Sequence, residues 1–95
     1  MDKQEAQALL TEQMGMYRAR SYADLLAMIG HADCVQITSP SGQYYQIEFN
    51  VFWDNKPGGN IRVAAAIDDG SFRASFSPLS DDFLKAPDGT FIGES

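Results

Sequence analysis

The feature of this sequence that most constrains its fold is a change in the spacing of apolar residues, from a helical period near the N-terminus to strict alternation further along. Every second position from Gln43 to Asp54 is apolar, and the same alternation continues from Ile61 to Asp68. The alternating residues are Tyr45, Ile47, Phe49, Val51, Trp53, Ile61, Val63, Ala65 and Ile67. Side chains spaced by two lie on one face of a sheet, so we predict two neighbouring strands that share one apolar face and a well-specified register.

An amphipathic helical segment precedes the strands. Asp2, with Glu5 three residues later, is a capping-box-like start, and apolar residues then recur at helical spacing along one stripe. The stripe consists of Ala6, Leu9, Leu10, Met14 and Tyr17. A second capping signal at Ser21 and a glycine suited to a helix stop at Gly30 leave two alternatives open, one bent helix or two helices over residues 2–29.

Two further strands complete the predicted sheet. The first strand covers about Asp33–Ser39, and the tight turn at Asp69-Gly70 leads into a fourth strand over Ser71–Ser77 whose apolar residues complete the buried face. Ser80 is a candidate cap for a short helical turn through Leu84. The predicted fold is therefore α+β: an N-terminal helix or helix pair packed on one face of a four-stranded antiparallel meander, followed by a short C-terminal helical turn.

Length and charge bound the possible functions. Ninety-five residues are enough for one hydrophobic core, so we predict a single domain over residues 1–95. The net charge is −6 and only seven residues are Lys or Arg, which disfavours nucleic acid and anionic membrane surfaces as partners. The single cysteine, Cys34, and the absence of an apolar signal region near the N-terminus favour a cytoplasmic location.

The second face of the sheet is unusual in composition. If the strands pair as predicted, Glu48, Ala66 and Arg73 lie abreast on the face away from the helices. The same face carries Tyr44, Gln46, Asn50, Phe52, Arg62, Ala64 and Ser75. Small residues let another surface approach the backbone closely, so this face is a candidate for coverage by the C-terminal segment, a second copy or a partner. The alternative is a solvated face whose long side chains lean over tolerated alanines.

Two groups of residues are candidates for binding chemistry. Glu48 with Arg62 and Arg73 has the character of a pocket, because two cations lower a carboxylate pKa and hold an anionic ligand; the alternative is a salt-bridged sheet face. The loop that begins at Trp53 and Asp54 and ends at Asn60 joins an aromatic residue to a conformationally demanding turn. The alternative for this loop is a hairpin connection in which Trp53 closes the core.

Metal and nucleophile chemistry find weak support in the sequence. His31 and Cys34 have a His-x-x-Cys spacing, but a closed zinc site needs about four ligands and no second pair exists. The only histidine lies next to a predicted helix end, and no Gly-x-Ser-x-Gly elbow surrounds a serine. We therefore predict no catalytic residues, no metal and no cofactor.

Several segments of the strand region resemble a set of short uncharacterised bacterial proteins. The matching segments are Phe52-Trp53-Asp54, Pro57–Val63, Ile67–Gly70, Asp82-Phe83 and Ala86–Gly89. The resemblance brings no enzymatic motif and implies a small bacterial domain of unknown function.

Together these observations predict a non-enzymatic bacterial domain for protein interaction or regulation. The predicted interface for another protein, or for a second copy, uses the second sheet face, with Tyr44, Phe52, Arg62, Ala64, Ala66 and Arg73. The alternative is a small-ligand binder or enzyme with a cavity between helix and sheet or around Glu48, Arg62 and Arg73. An exposed edge strand, the first or the fourth, offers a second route to dimers.

Overall fold

The computed structural model describes residues 2–70 and 79–94 and shows two helices followed by five antiparallel strands in one sheet. The elements are α1 (Lys3–Arg18), α2 (Tyr22–Ala27), β1 (Ala32–Thr38), β2 (Tyr44–Trp53), β3 (Ile61–Asp68), β4 (Leu79–Lys85) and β5 (Phe91–Ile92). The strands follow one another in chain order across the sheet. The predicted α+β meander with an N-terminal helical layer is confirmed, with one more strand in the described residues than predicted.

The helical segment forms two helices, and both begin at the predicted caps. The Asp2 side chain accepts a hydrogen bond from the Glu5 backbone N–H at 3.0 Å, and the Ser21 hydroxyl accepts one from Asp24 N–H at 3.1 Å. Helix α1 continues through Gly15 without interruption. The chain leaves the helical layer at Gly30, whose φ of 83° is readily adopted only by a residue without a β-carbon.

The core lies between the helical stripe and the predicted apolar face of β2 and β3. Tyr17 stacks on Phe49 with ring centroids 4.2 Å apart, which joins the end of α1 to the centre of the sheet. The buried members on the helices are Ala6, Leu10, Met14, Tyr17 and Leu25, and those on β2 and β3 are Tyr45, Ile47, Phe49, Val51, Ile61, Val63, Ala65 and Ile67. Full burial of one such large apolar side chain contributes about 1.5–3 kcal/mol, so this face sets the register of the sheet.

The prediction for the C-terminal part of the sheet was wrong. Residues 79–85 form strand β4 rather than a helical turn, and Leu79 lies opposite Ile67 on the far edge of β3. Alternation explains the strand: Phe83 and Lys85 are buried toward the helices while their neighbours point to the other face. The local capping signal at Ser80 is overridden because pairing with β3 satisfies the backbone hydrogen-bonding groups along the whole segment.

The strand predicted over Ser71–Ser77 lies outside the described residues, together with Phe72, Arg73, Ala74, Ser75 and Phe76. Strand β3 has β2 on one edge and β4 on the other, so the neighbour predicted for it is replaced by residues 79–85. Ser80 stands opposite Ala66, at the position predicted for Arg73.

Strand β4 is anchored to the end of α1 by buried and stacked cations. Lys85 is 7% exposed and donates hydrogen bonds to the carbonyl oxygens of Arg18 and Arg20. The Arg18 guanidinium lies over the rings of Phe83 and Phe91 at 5.0 and 5.3 Å. These contacts place the helices on one side of the sheet.

None of the helices in the described residues has the length and apolar character needed to cross a membrane.

Candidate functional site

The candidate site is the sheet surface opposite the helices, which we call the open face. Its residues on the three central strands are Tyr44, Gln46, Glu48, Asn50, Phe52, Arg62, Ala64, Ala66, Asp68, Ser80, Asp82 and Leu84. Among the described residues, no helix or strand packs over this surface, because both helices contact the other side. The predicted second face therefore exists, and its register places Glu48 opposite Ala66 as predicted.

A depression lies in the middle of the open face, and we call it the alanine depression. Ala64 and Ala66 form its floor on β3, with Asn50 and Glu48 opposite them on β2. Its volume is about 570 Å³, and its remaining lining residues are Ala65, Ser80, Asp81 and Asp82. The depression exists because methyl side chains on the central strand are flanked by longer side chains on both neighbours. A partner side chain seated there meets backbone and methyl groups below and polar groups at the sides.

The walls of the alanine depression are acidic. Glu48 contributes a carboxylate from β2 and Asp82 contributes one from β4, whereas Asp81 lies opposite the buried Ala65 and points to the helix side of the sheet. Arg62, one row further along β3, donates from Nε to Asp54 Oδ1 at 3.0 Å and also pairs with Asp82. These partners raise the pKa of Arg62, the hydrogen bond to Asp54 most of all. The nearest cation on β3 is therefore already engaged by carboxylates.

The predicted pocket around Glu48, Arg62 and Arg73 does not form as a unit in the described residues. Glu48 stands in the row of Ala66, whereas Arg62 stands opposite Phe52, and no ion pair joins Glu48 to Arg62 in the part of the chain that the structure describes. Arg73 lies outside that part. What Glu48 lines instead is an acidic depression suited to positive charge.

The aromatic residues predicted for this face lie at opposite ends of β2. Tyr44 and Phe52 are 39% and 41% exposed, and eight residues of extended chain separate them by about 26 Å. Phe52 shares a row with Arg62, Leu84 and Ile92 across the strands. This row adds exposed apolar surface at one end of the face, since Ile92 is 40% exposed.

Five residues of the open face were missed by the sequence analysis: Ser80, Asp82, Leu84, Ile92 and Asp68. The first three were assigned to a helical turn because Ser80 precedes two aspartates, a typical helix start. The alternation of polar Ser80 and Asp82 with buried Phe83 and Lys85 is the signal that predicts a strand, but charged Lys85 on the buried face obscures it.

The loop residues predicted as candidates serve the hairpin. Asp54 donates its backbone N–H to the Asn60 carbonyl at 3.0 Å and accepts from Arg62 through its side chain, so it closes the loop at its base. Trp53 is half-buried against the edge of the core. The Tyr22 hydroxyl donates to the Gly59 carbonyl at 2.8 Å, which holds the loop against α2. These contacts favour the structural alternative for this loop.

The described residues contain no cluster of three or more His, Cys, Asp or Glu side chains arranged to hold a metal ion. Comparison with known protein families found no matching family, and comparisons with curated proteins and with solved structures found no similar protein. The resemblance to short uncharacterised bacterial proteins therefore stays a prediction.

Proposed function

We propose that this chain is a non-enzymatic interaction domain of the bacterial cytoplasm whose open face binds a basic, partly apolar segment of another protein. The single observation that supports it most is the alanine depression, where a floor of small side chains is combined with acidic walls at Glu48 and Asp82. A floor of this kind permits close approach of a partner backbone. The walls then select the charge of the partner.

Charge favours a foreign partner over a second copy on this face. The described open-face residues of β2, β3 and β4 include Glu48, Asp68 and Asp82 against one cation, Arg62. Two copies that met through this surface would bring like charges together, and such contacts oppose association. The whole chain adds to this effect, since its net charge is −6.

One end of the face gives such a partner apolar contacts. Phe52, Leu84 and Ile92 offer exposed or half-exposed carbon surface next to the acidic depression. A strand or loop with alternating basic and apolar residues would place cations against Glu48 and Asp82 and apolar side chains along this row. Long Lys and Arg side chains suit the depression because their methylene stems pack on the alanines while the charged head meets the carboxylates.

The experiment is an NMR titration of the isotopically labelled protein with a short peptide of alternating lysine and valine. We expect backbone amide shifts centred on Ala64, Ala66 and Asp82, and a weaker affinity at 200 mM than at 50 mM salt. Two variants test the site: Glu48→Gln removes one wall charge, and Ala64→Leu fills the floor. Each is expected to weaken binding several-fold.

The matched control is Glu12→Gln, which makes the same charge change on an exposed position of α1. If Glu12→Gln and Glu48→Gln weaken binding equally, attraction is a general effect of net charge and the open face is not the site. The proposal also fails if a glutamate–valine peptide of the same length produces the same shifts as the lysine–valine peptide.

A further inference from the structure

Strand β1 is one of the two edge strands of the described sheet, and it lacks the proline, lysine and bulge that often block pairing at an edge. It contains seven residues with no proline, lysine or arginine, and its register with β2 runs without a bulge from Ala32 opposite Asn50 to Thr38 opposite Tyr44. Natural edge strands are commonly protected by such features. The outer strand is instead long and regular, with one charged residue, Asp33.

The alternation of main-chain groups identifies which residues face outward. Ser39 donates its N–H to the Gln43 carbonyl at 2.8 Å, so position 39 faces β2. Main-chain groups alternate in direction along an antiparallel strand, so the N–H and C=O groups of Ile37, Val35 and Asp33 also point toward β2. The N–H and C=O groups that point away from the sheet therefore belong to Ala32, Cys34, Gln36 and Thr38.

We propose that a second copy of this chain pairs antiparallel with β1 about a two-fold axis at Val35, extending the sheet across both copies. Val35 is the middle residue of the strand, so this register pairs every residue from Ala32 to Thr38. Cys34 then lies opposite Gln36 of the second copy, and Ala32 opposite its Thr38. The outward groups form about eight main-chain hydrogen bonds.

The positions of charged and apolar residues along β1 itself favour a second copy in this register, although the net charges of the two copies repel each other. Asp33 lies opposite Ile37 of the second copy rather than its own counterpart, so no like charges face each other across the new edge. Asp33 also accepts a hydrogen bond from the Tyr17 hydroxyl at 3.2 Å, which directs it toward its own α1. Val35 and Ile37 are half-exposed on the helix side and become more buried beside the second strand. Registers centred on Cys34 or Gln36 shorten the pairing within the strand.

The proposal is independent of the proposed function, because it uses the edge of the sheet and not the open face. The two differ in their response to salt. Binding of a basic segment weakens as salt rises, whereas pairing of two copies that each carry a charge of −6 strengthens as repulsion is screened. The edge-pairing proposal and the proposed function can therefore each fail without affecting the other.

The first test is light scattering across a concentration series, with a monomer mass of 10.5 kDa as reference. We expect the wild type to approach twice that mass, and more readily at higher salt. Gln36→Pro removes an outward N–H that β2 does not use, so it is expected to raise the dimer dissociation constant by about 100-fold, whereas Gln36→Ala retains the dimer. A wild type that stays monomeric at every concentration overturns the proposal.

The second test reads the register directly and does not depend on a proline variant folding. Val35→Cys in a Cys34→Ser background places two thiols in a non-hydrogen-bonded pair with Cα atoms about 4.5 Å apart, within disulfide range. Ile37→Cys in the same background places them about 13 Å apart. We expect mild oxidation to link the first variant into dimers and not the second. Equal linkage of both, or of neither while the wild type is dimeric, excludes this register.

Discussion

The ammonium of Lys85 donates a hydrogen bond of 2.5 Å to the carbonyl oxygen of Arg20, just beyond the C-terminal end of α1. It also donates to the Arg18 carbonyl at 3.1 Å, and its side chain is buried in the face that packs on the helices. Carbonyl groups at the end of a helix have no intrahelical partner and carry partial negative charge. A buried lysine on β4 therefore satisfies them and ties the last long strand to the first helix.

Replacement of this lysine tests the anchor. We expect Lys85→Met to lower the free energy of unfolding by about 1–3 kcal/mol, because methionine keeps most of the length but leaves two part-buried carbonyls without this donor. The measurement is urea denaturation followed by circular dichroism. Lys56→Met, in the exposed hairpin loop, is the control and is expected to be close to neutral. Equal losses for both variants would contradict a specific role for Lys85.

A second prediction concerns stability at high pH. Tyr45 is fully buried, and burial together with its 2.9 Å hydrogen bond to Glu5 Oε1 raises its pKa from 10.0 to about 12. The neutral phenol is favoured in the folded state, so this stabilisation is complete below pH 10 and is lost as the pH rises from about 10 to about 12. We expect a steep loss of stability in that window, measured by denaturation at a series of pH values.

The variant Tyr45→Phe should flatten that loss while lowering stability at neutral pH. Tyr44→Phe, at an exposed position of the same strand, is the matched control and should retain the slope of the wild type. Burial also raises the pKa of Tyr17, so part of the slope is expected to survive in Tyr45→Phe. An unchanged slope in Tyr45→Phe would show that Tyr45 does not ionise in this window.

A third prediction separates the two faces of β2. Phe49 is buried under Tyr17, whereas Phe52, three residues away, is on the open face. We expect Phe49→Ala to cost about 3–5 kcal/mol of unfolding free energy by loss of burial and creation of a cavity. Phe52→Ala is expected to cost less than about 1 kcal/mol and to weaken peptide binding instead. Similar costs for both would place Phe52 beneath a covering segment.

A fourth prediction concerns the arginine that engages the acidic wall. Arg62 pairs with Asp54 and Asp82, so Arg62→Gln releases both carboxylates toward solvent. We expect this variant to bind the lysine–valine peptide several-fold more tightly at 50 mM salt and to unfold at nearly the same urea concentration as the wild type. Weaker binding would mean that Arg62 itself contacts the partner.

Local patterns were sufficient for the helices and the two central strands. The caps at Asp2 and Ser21 lie where the sequence predicts them, and β3 covers Ile61–Asp68 as predicted. Each of these assignments depends on residues close together in the chain, where spacing directly determines which face a side chain occupies. The pairing of Glu48 with Ala66 followed from the same alternation, because only one register buries both apolar faces.

The sequence by itself therefore determined the helical layer, the apolar face of the sheet and the small residues on its other face. Tertiary structure decided which segment pairs with the second edge of β3, and so which side chains wall the alanine depression. That choice is not local: Ser80–Leu84 carries a helix-start signal, yet it forms a strand because β3 supplies its hydrogen bonds and α1 covers Phe83 and Lys85. The acidic character of the site follows from this pairing, since Asp82 lies opposite Ala64 only once β4 is in place.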